Sequence, residues 1–168
     1  MKRTLLLALA LIAAGCAPSE QSDTLSDGSE QVIPSVSCED LSEQSPLEDV
    51  RTCAEQGNVD AQSYLGFMYD FGFGRVPEDD VEAVRWYRLA AEQGDASAQF
   101  GLGSMYDRGL GVPEDYLLAY MWWNLAAAQG DEGAQGSKAI LEQRMTSAQI
   151  AEAQRLSREW LEAHPPGG

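Results

Sequence analysis

Three cysteines, one histidine and several acidic clusters are the residues with reactive potential in this 168-residue chain. Cys16, Cys38 and Cys53 are the thiols, and His164 is the single histidine, in a Pro-Gly-rich tail. No serine or cysteine pairs with that histidine in a nucleophile–base arrangement. With one histidine there is no His-rich metal site, so neither a catalytic residue, a metal nor a cofactor is expected. The acidic runs Glu78-Asp79-Asp80 and Glu114-Asp115 lack the spacing of a calcium loop. They read as helix caps and as negative charge placed at helix N-termini. Gly109-Leu110-Gly111 lacks the Lys-Ser/Thr of a phosphate loop. Trp86, Trp122 and Trp123 read as packing between structural units rather than as a ligand cage.

The cysteines acquire meaning from the N-terminus. Lys2 and Arg3 precede an apolar run, Leu5 to Ala14, of about ten residues, too short to span a bilayer as a helix. Residues 1–15 therefore read as a signal peptide. The following Ala13-Ala14-Gly15-Cys16 resembles the lipobox of bacterial lipoproteins. The resemblance implies that Cys16 is lipidated and anchors the chain to a membrane. With Ala17 rather than aspartate after the cysteine, it implies the periplasmic face of the outer membrane of a Gram-negative bacterium. Residues 16–36, rich in Ser, Gln, Asp and Glu, bury too little to offset the entropy of ordering and read as a flexible tether. Export places Cys38 and Cys53 in an oxidising compartment, where a disulfide would close a loop of about 15 residues and contribute about 3 kcal/mol. Two readings of Cys53 stand open: half of that disulfide, or a small core residue with Cys38 free.

The charge excludes one class of partner. Asp and Glu number 27 against 11 Lys and Arg, a formal charge of −16, and loss of Lys2 and Arg3 with a signal peptide makes the remainder more acidic. Such a surface repels phosphates, so nucleic acid is not an expected partner.

The elements that must position any site are set by an internal repeat. Gly57 to Gly74 aligns with Gly94 to Gly111: Ala61, Gln62, Leu65, Gly66, Met68, Tyr69 and Asp70 recur as Ala98, Gln99, Leu102, Gly103, Met105, Tyr106 and Asp107. Val76-Pro77-Glu78-Asp79 recurs as Val112-Pro113-Glu114-Asp115, and Ala83, Trp86, Leu89, Ala90 and Ala91 as Ala119, Trp122, Leu125, Ala126 and Ala127. A period of about 36 residues means stacked supersecondary units. Each reads as helix, loop, helix. Ala61, Leu65, Met68 and Tyr69 follow the spacing of one helix face. Gly66 and Gly103, costly inside a helix by about 1 kcal/mol, predict close approach of a neighbouring backbone. Gly72 and Gly74 end the first helix. Asp79, with Glu82 three residues on, predicts a capping box, and Val81, Val84, Trp86, Leu89 and Ala90 a buried stripe. Asn58, Asp95 and Asp131 each follow a glycine and read as N-caps. The spacing also predicts a leading helix from Pro46 to Gln56 with Ser45 as cap, a helix from Gly130 towards Arg144, and a last helix opened by Thr146 and running through Trp160.

The pattern Ala-x-x-x-Leu-Gly-x-x-Tyr-x-x-Gly-x-Gly, Val-Pro-x-Asp, Ala-x-x-Trp-Tyr-x-x-Ala-Ala-x-Gln-Gly resembles the Sel-one-like repeat family, relatives of the tetratricopeptide repeats, over roughly Pro46 to Ala163. The resemblance implies an all-α fold, a right-handed α/α superhelix of helix pairs. The chain then divides into a degenerate leading unit (37–57), repeat 1 (58–94), repeat 2 (95–130), a C-terminal capping helix pair (131–163) and a disordered tail (164–168). It further implies a protein-interaction adaptor or scaffold that is not an enzyme. Tetratricopeptide geometry would turn Ser63, Phe67, Asp70 and Phe71, with Phe100, Ser104, Asp107 and Arg108, into a concave groove. Its acidic rim would suit a basic segment of an unidentified protein or peptide. Packing of the same aromatics between hairpins is the competing reading. Two other functions are carried as alternatives: a binder or hydrolase of cell-wall glycan or β-lactam, and a structural spacer within an envelope complex.

Overall fold

Residues 37–39, 41, 45–74 and 76–165 are described by the structure, a computed structural model. The expected signal peptide, the lipidated Cys16 and the tether lie outside them. Among the described residues there are seven helices and no strand: α1 (Leu47–Glu55), α2 (Val59–Phe71), α3 (Asp80–Glu92), α4 (Ala96–Arg108), α5 (Tyr116–Ala128), α6 (Glu132–Glu142) and α7 (Ser147–Ala163).

Local chemistry sets the boundaries. Asn58, Asp95 and Asp131 cap α2, α4 and α6 by accepting from the amides of Ala61, Ala98 and Ala134. Each cap follows a glycine, Gly57, Gly94 or Gly130, whose φ of +92° to +97° lets the chain reverse between helices. The cap's own amide donates back to Cys53, Ala90 or Ala126, so one hinge is built three times. Asp79 and Asp115 cap α3 and α5 with two amides each. Glu82 does not close the expected capping box; it pairs with Arg85 at 3.1 Å. The Thr146–Gln149 box is complete. Pro46 occupies the N-cap position of α1, one step before the helix it was expected to open.

Packing follows the repeat. α2 lies against α3 and α4 against α5, while α3 meets α4 across the repeat boundary, an all-α solenoid of helix pairs. Leu65, Leu102 and Met105 are fully buried. The buried face of α3 is Ala83, Val84, Trp86, Tyr87, Ala90 and Ala91. Val81 and Leu89, expected in that stripe, are 64% and 38% exposed. They share the opposite side of the helix with Arg85 and Glu92, while Val84, Trp86 and Ala90 of the expected stripe are buried together with Ala83, Tyr87 and Ala91.

Side-chain staples tie one hinge to the next. Buried Gln62 donates to the Ala54 carbonyl (3.0 Å) and accepts from Gln93 Nε2 (2.7 Å). Gln99 donates to Ala91 (3.2 Å) and accepts from Gln129 Nε2 (2.9 Å). Arg51 and Arg88 each donate to a tyrosine hydroxyl, Tyr69 and Tyr106, at 3.1 Å.

The ends differ from the middle. Cys38 and Cys53 form a disulfide, Cα–Cα 5.6 Å, which fixes residues beside Cys38 to buried Cys53 in α1. α6 and α7 do not pair as α2 and α3 do: α7 lies on α5 instead. Gln154 Nε2 donates to the Tyr120 hydroxyl (3.4 Å), Ser157 Oγ to the Met121 carbonyl (3.5 Å), and Trp160 meets Trp122 edge-on at 5.7 Å. α7 runs three residues past Trp160, and His164, expected in the tail, stacks on that indole at 4.4 Å.

Candidate functional site

Successive first helices of the repeats leave an open groove of about 520 Å³ between them. Ser63, Phe67, Asp70 and Phe71 enter it from α2, and Phe100, Ser104, Asp107 and Arg108 from α4. All eight residues expected there line it. They converge because i, i+4 and i+7 or i+8 positions share one helix face and the repeat carries that face from α2 to α4.

The floor was missed from the sequence. Tyr87 of α3 and Trp123 of α5, at matched places in the two repeats, reach through to line the groove. They get there because the overlying helices lack side chains where they cross. A Cβ on Gly66 or Gly101 would stand 2.6 or 2.7 Å from the Tyr87 ring, and one on Gly103 would stand 2.6 Å from Trp123 Cδ1. The close approach expected at Gly66 and Gly103 is thus foremost to an aromatic ring, not to a backbone. Trp123 Nε1 donates to the Phe100 carbonyl at 3.1 Å, which fixes the indole. A helical glycine facing the aromatic position of the next helix was the available signal.

The walls are unequal. Phe67, Phe71 and Phe73 are 40%, 61% and 43% exposed and form one cluster, with Phe67 centred 4.9 Å from Phe71 and 6.0 Å from Phe73. Repeat 2 places Ser104, Arg108 and Leu110 at those positions. Phe100 is half-buried, 6.5 Å from the Trp123 ring, so the packing reading holds for it and not for Phe67 or Phe71.

The expected acidic rim is not free. Asp70, its side chain 5% exposed, accepts from Arg108 Nη2 at 3.1 Å, and Tyr87 donates a long hydrogen bond of 3.5 Å to its other oxygen. Asp107 pairs with Arg144 at 3.2 Å, and Arg144 also lies over the Tyr116 ring and bonds its hydroxyl. The stacking register causes this: the aspartate near the end of each first helix meets an arginine one repeat further on. Burial first, and the Asp70 carboxylate second, push the Tyr87 hydroxyl well above the usual tyrosine range, so it stays a proton donor.

The other reactive residues are placed structurally. Asp79 and Asp115 are caps, and Glu78 and Glu114 are exposed beside them. Among the described residues no three His, Cys, Asp or Glu side chains are grouped to hold a metal. A second hollow, about 750 Å³, lies between the hinges and the end of α7. Its amides Gln93 and Gln129 are engaged in the hinge staples.

Comparison with known proteins supplies the family. The Sel1 repeat matches residues 59–95 and 96–131. Among solved structures, c5321, a protective antigen present in uropathogenic Escherichia coli strains and displaying an SLR fold, is 36% identical with a TM-score of 0.68. The match covers 71% of this chain and 26% of the antigen, so the chain spans about a quarter of that protein's length. A Sel1 repeat protein from Oxalobacter formigenes is 41% identical with a TM-score of 0.53, over 55% of this chain and 69% of that one. No curated protein matches the chain. Sel1 repeats in general mediate protein–protein interactions, and proteins built from them are in general scaffolds rather than enzymes. Two adjoining matched repeats, stacked as helix pairs and shared with these structures, place the chain in the Sel1 repeat family.

Proposed function

We propose that this chain is an envelope-anchored adaptor that holds a protein partner in the groove between α2 and α4. The observation that carries the reading is the exposed Phe67–Phe71–Phe73 cluster opening onto a groove floored by Tyr87 and Trp123. Exposed aromatics at the mouth of a concave apolar surface mark binding sites, since leaving them in water has a free-energy cost that a partner removes. The leader and Ala13-Ala14-Gly15-Cys16 support export and lipid attachment, which would deliver the groove to a membrane surface.

Two variants separate anchoring from recognition. Cys16→Ala is expected to move the protein from the membrane fraction to the soluble fraction of lysed cells; continued sedimentation with membranes contradicts the anchor. Phe67→Ser with Phe71→Ser is expected to remove discrete partners from crosslinked intact cells, with the fold unchanged by circular dichroism. Equal recovery of the same partners by this variant excludes the groove.

A further inference from the structure

We infer that the groove takes an uncharged segment of its partner, anchored by bulky apolar side chains, and that the charges lining it close the solenoid instead of reading a charged ligand. The inference rests on the reading of the groove as the partner site.

Three charged side chains line the groove, Asp70, Asp107 and Arg108, and Arg144, which does not line it, completes the cancellation. Asp70 is paired with Arg108, and Asp107 with Arg144. A lysine or arginine from a partner would have to displace Arg108 from a carboxylate whose side chain is 5% exposed. Separating such a pair exposes a charge that the surroundings no longer solvate, so an incoming cation gains little. A carboxylate from a partner faces the converse problem, since both arginines already hold an aspartate. Arg108 is further committed: its Nε donates to the Ser104 carbonyl at 3.4 Å.

Two of the four serine hydroxyls lining the groove are turned inward as well. Ser63 Oγ donates to Asp95 Oδ1 at 2.7 Å, and Ser104 Oγ to the Phe100 carbonyl at 3.0 Å. What the groove offers is ring surface, from exposed Phe67 and Phe71 to half-buried Phe100, over a floor of buried Tyr87 and Trp123, with the uncharged hydroxyls of Ser97 and Ser137 beside it. This neutral aromatic window sits on a chain of formal charge −16. The acidity of the molecule and the chemistry of its groove point to different partners, and short-range chemistry decides what is held.

The test uses the full chain and three pools of synthetic dodecapeptides, all carrying Leu, Phe and Tyr anchors. The spacers are Ser and Gln in the first, Lys and Arg in the second, Asp and Glu in the third. The neutral pool is expected to bind most tightly. Its affinity should change less than about threefold between 50 and 500 mM NaCl, because no ion pair forms. Phe67→Ser with Phe71→Ser should weaken it at least about tenfold, whereas Glu152→Gln with Arg155→Gln, an exposed ion pair on α7 away from the groove, should leave it within about twofold. Preference for the basic or acidic pool, weakened by salt and by the phenylalanine variant, overturns the inference while leaving the groove as the partner site. Binding by no pool, or binding indifferent to the phenylalanine variant, overturns both.

Discussion

Glycines and the rings that lie across them decide how closely the helices of this solenoid approach. A Cβ at Gly103 would meet buried Trp123 at 2.6 Å and the Ala119 carbonyl at 3.1 Å. Overpacking of that kind costs about 1–3 kcal/mol, against a helix-propensity gain of about 1 kcal/mol. Gly103→Ala is therefore expected to lower stability by up to about 2 kcal/mol in urea unfolding. Gly136 in α6 has open space where its Cβ would lie, so Gly136→Ala should raise stability by about 0.5–1 kcal/mol. Equal effects of the two would contradict the ring-against-helix geometry. Tyr87 supplies a second residue-scale expectation. Its hydroxyl loses its proton less readily in the folded chain than in the unfolded one. The contribution is fully present below the unfolded tyrosine value of about 10 and is lost as pH rises above it, because the folded state then holds the extra proton. Tyr87→Phe removes this dependence, so between about pH 9 and 11.5 its urea midpoint should fall less steeply than that of the parent chain. Parallel declines would show that the phenol is not desolvated.

At the scale of elements, the Gly-Asx hinges were legible because their chemistry is local. A glycine with positive φ followed by an Asn or Asp cap needs only neighbouring residues, and all three lie where the 36-residue spacing puts them. The inward face of α3 was less legible. Large aliphatics such as Val81 and Leu89 outweigh alanine in a reading by hydrophobicity, yet they face out while Ala83 and Ala91 are buried beside Val84, Trp86 and Tyr87. The docking of α7 was not legible at all, since periodicity shows that a helix has an apolar face and not which neighbour receives it. Cys38 ties the chain ahead of α1 to the first hairpin, across a separation of 15 residues. Cys38→Ser is expected to lower stability by about 3 kcal/mol, and thiol reductant should lower the parent chain to the level of the variant. A parent chain unmoved by reductant would show that the loop constraint does not contribute.

At the scale of the whole molecule, the repeat explains both the fold and the site. One helix face, copied from α2 to α4, makes a groove whose walls on those two helices could be named from the sequence, though its floor of Tyr87 and Trp123 could not. The pairing of Asp70 with Arg108 and of Asp107 with Arg144 could not, because each joins residues 37 or 38 positions apart and depends on the stacking register. That register converts an expected acidic rim into an internally neutralised one. The measurement closest to the central claim is site-specific photocrosslinking in intact cells, with the photoreactive residue placed at Phe71 in the groove or at Val81 on the outer face of α3. A discrete adduct from position 71 and none from position 81 is the expected result. The same adducts from both, or adducts from position 81 alone, would show that the partner does not lie in the groove.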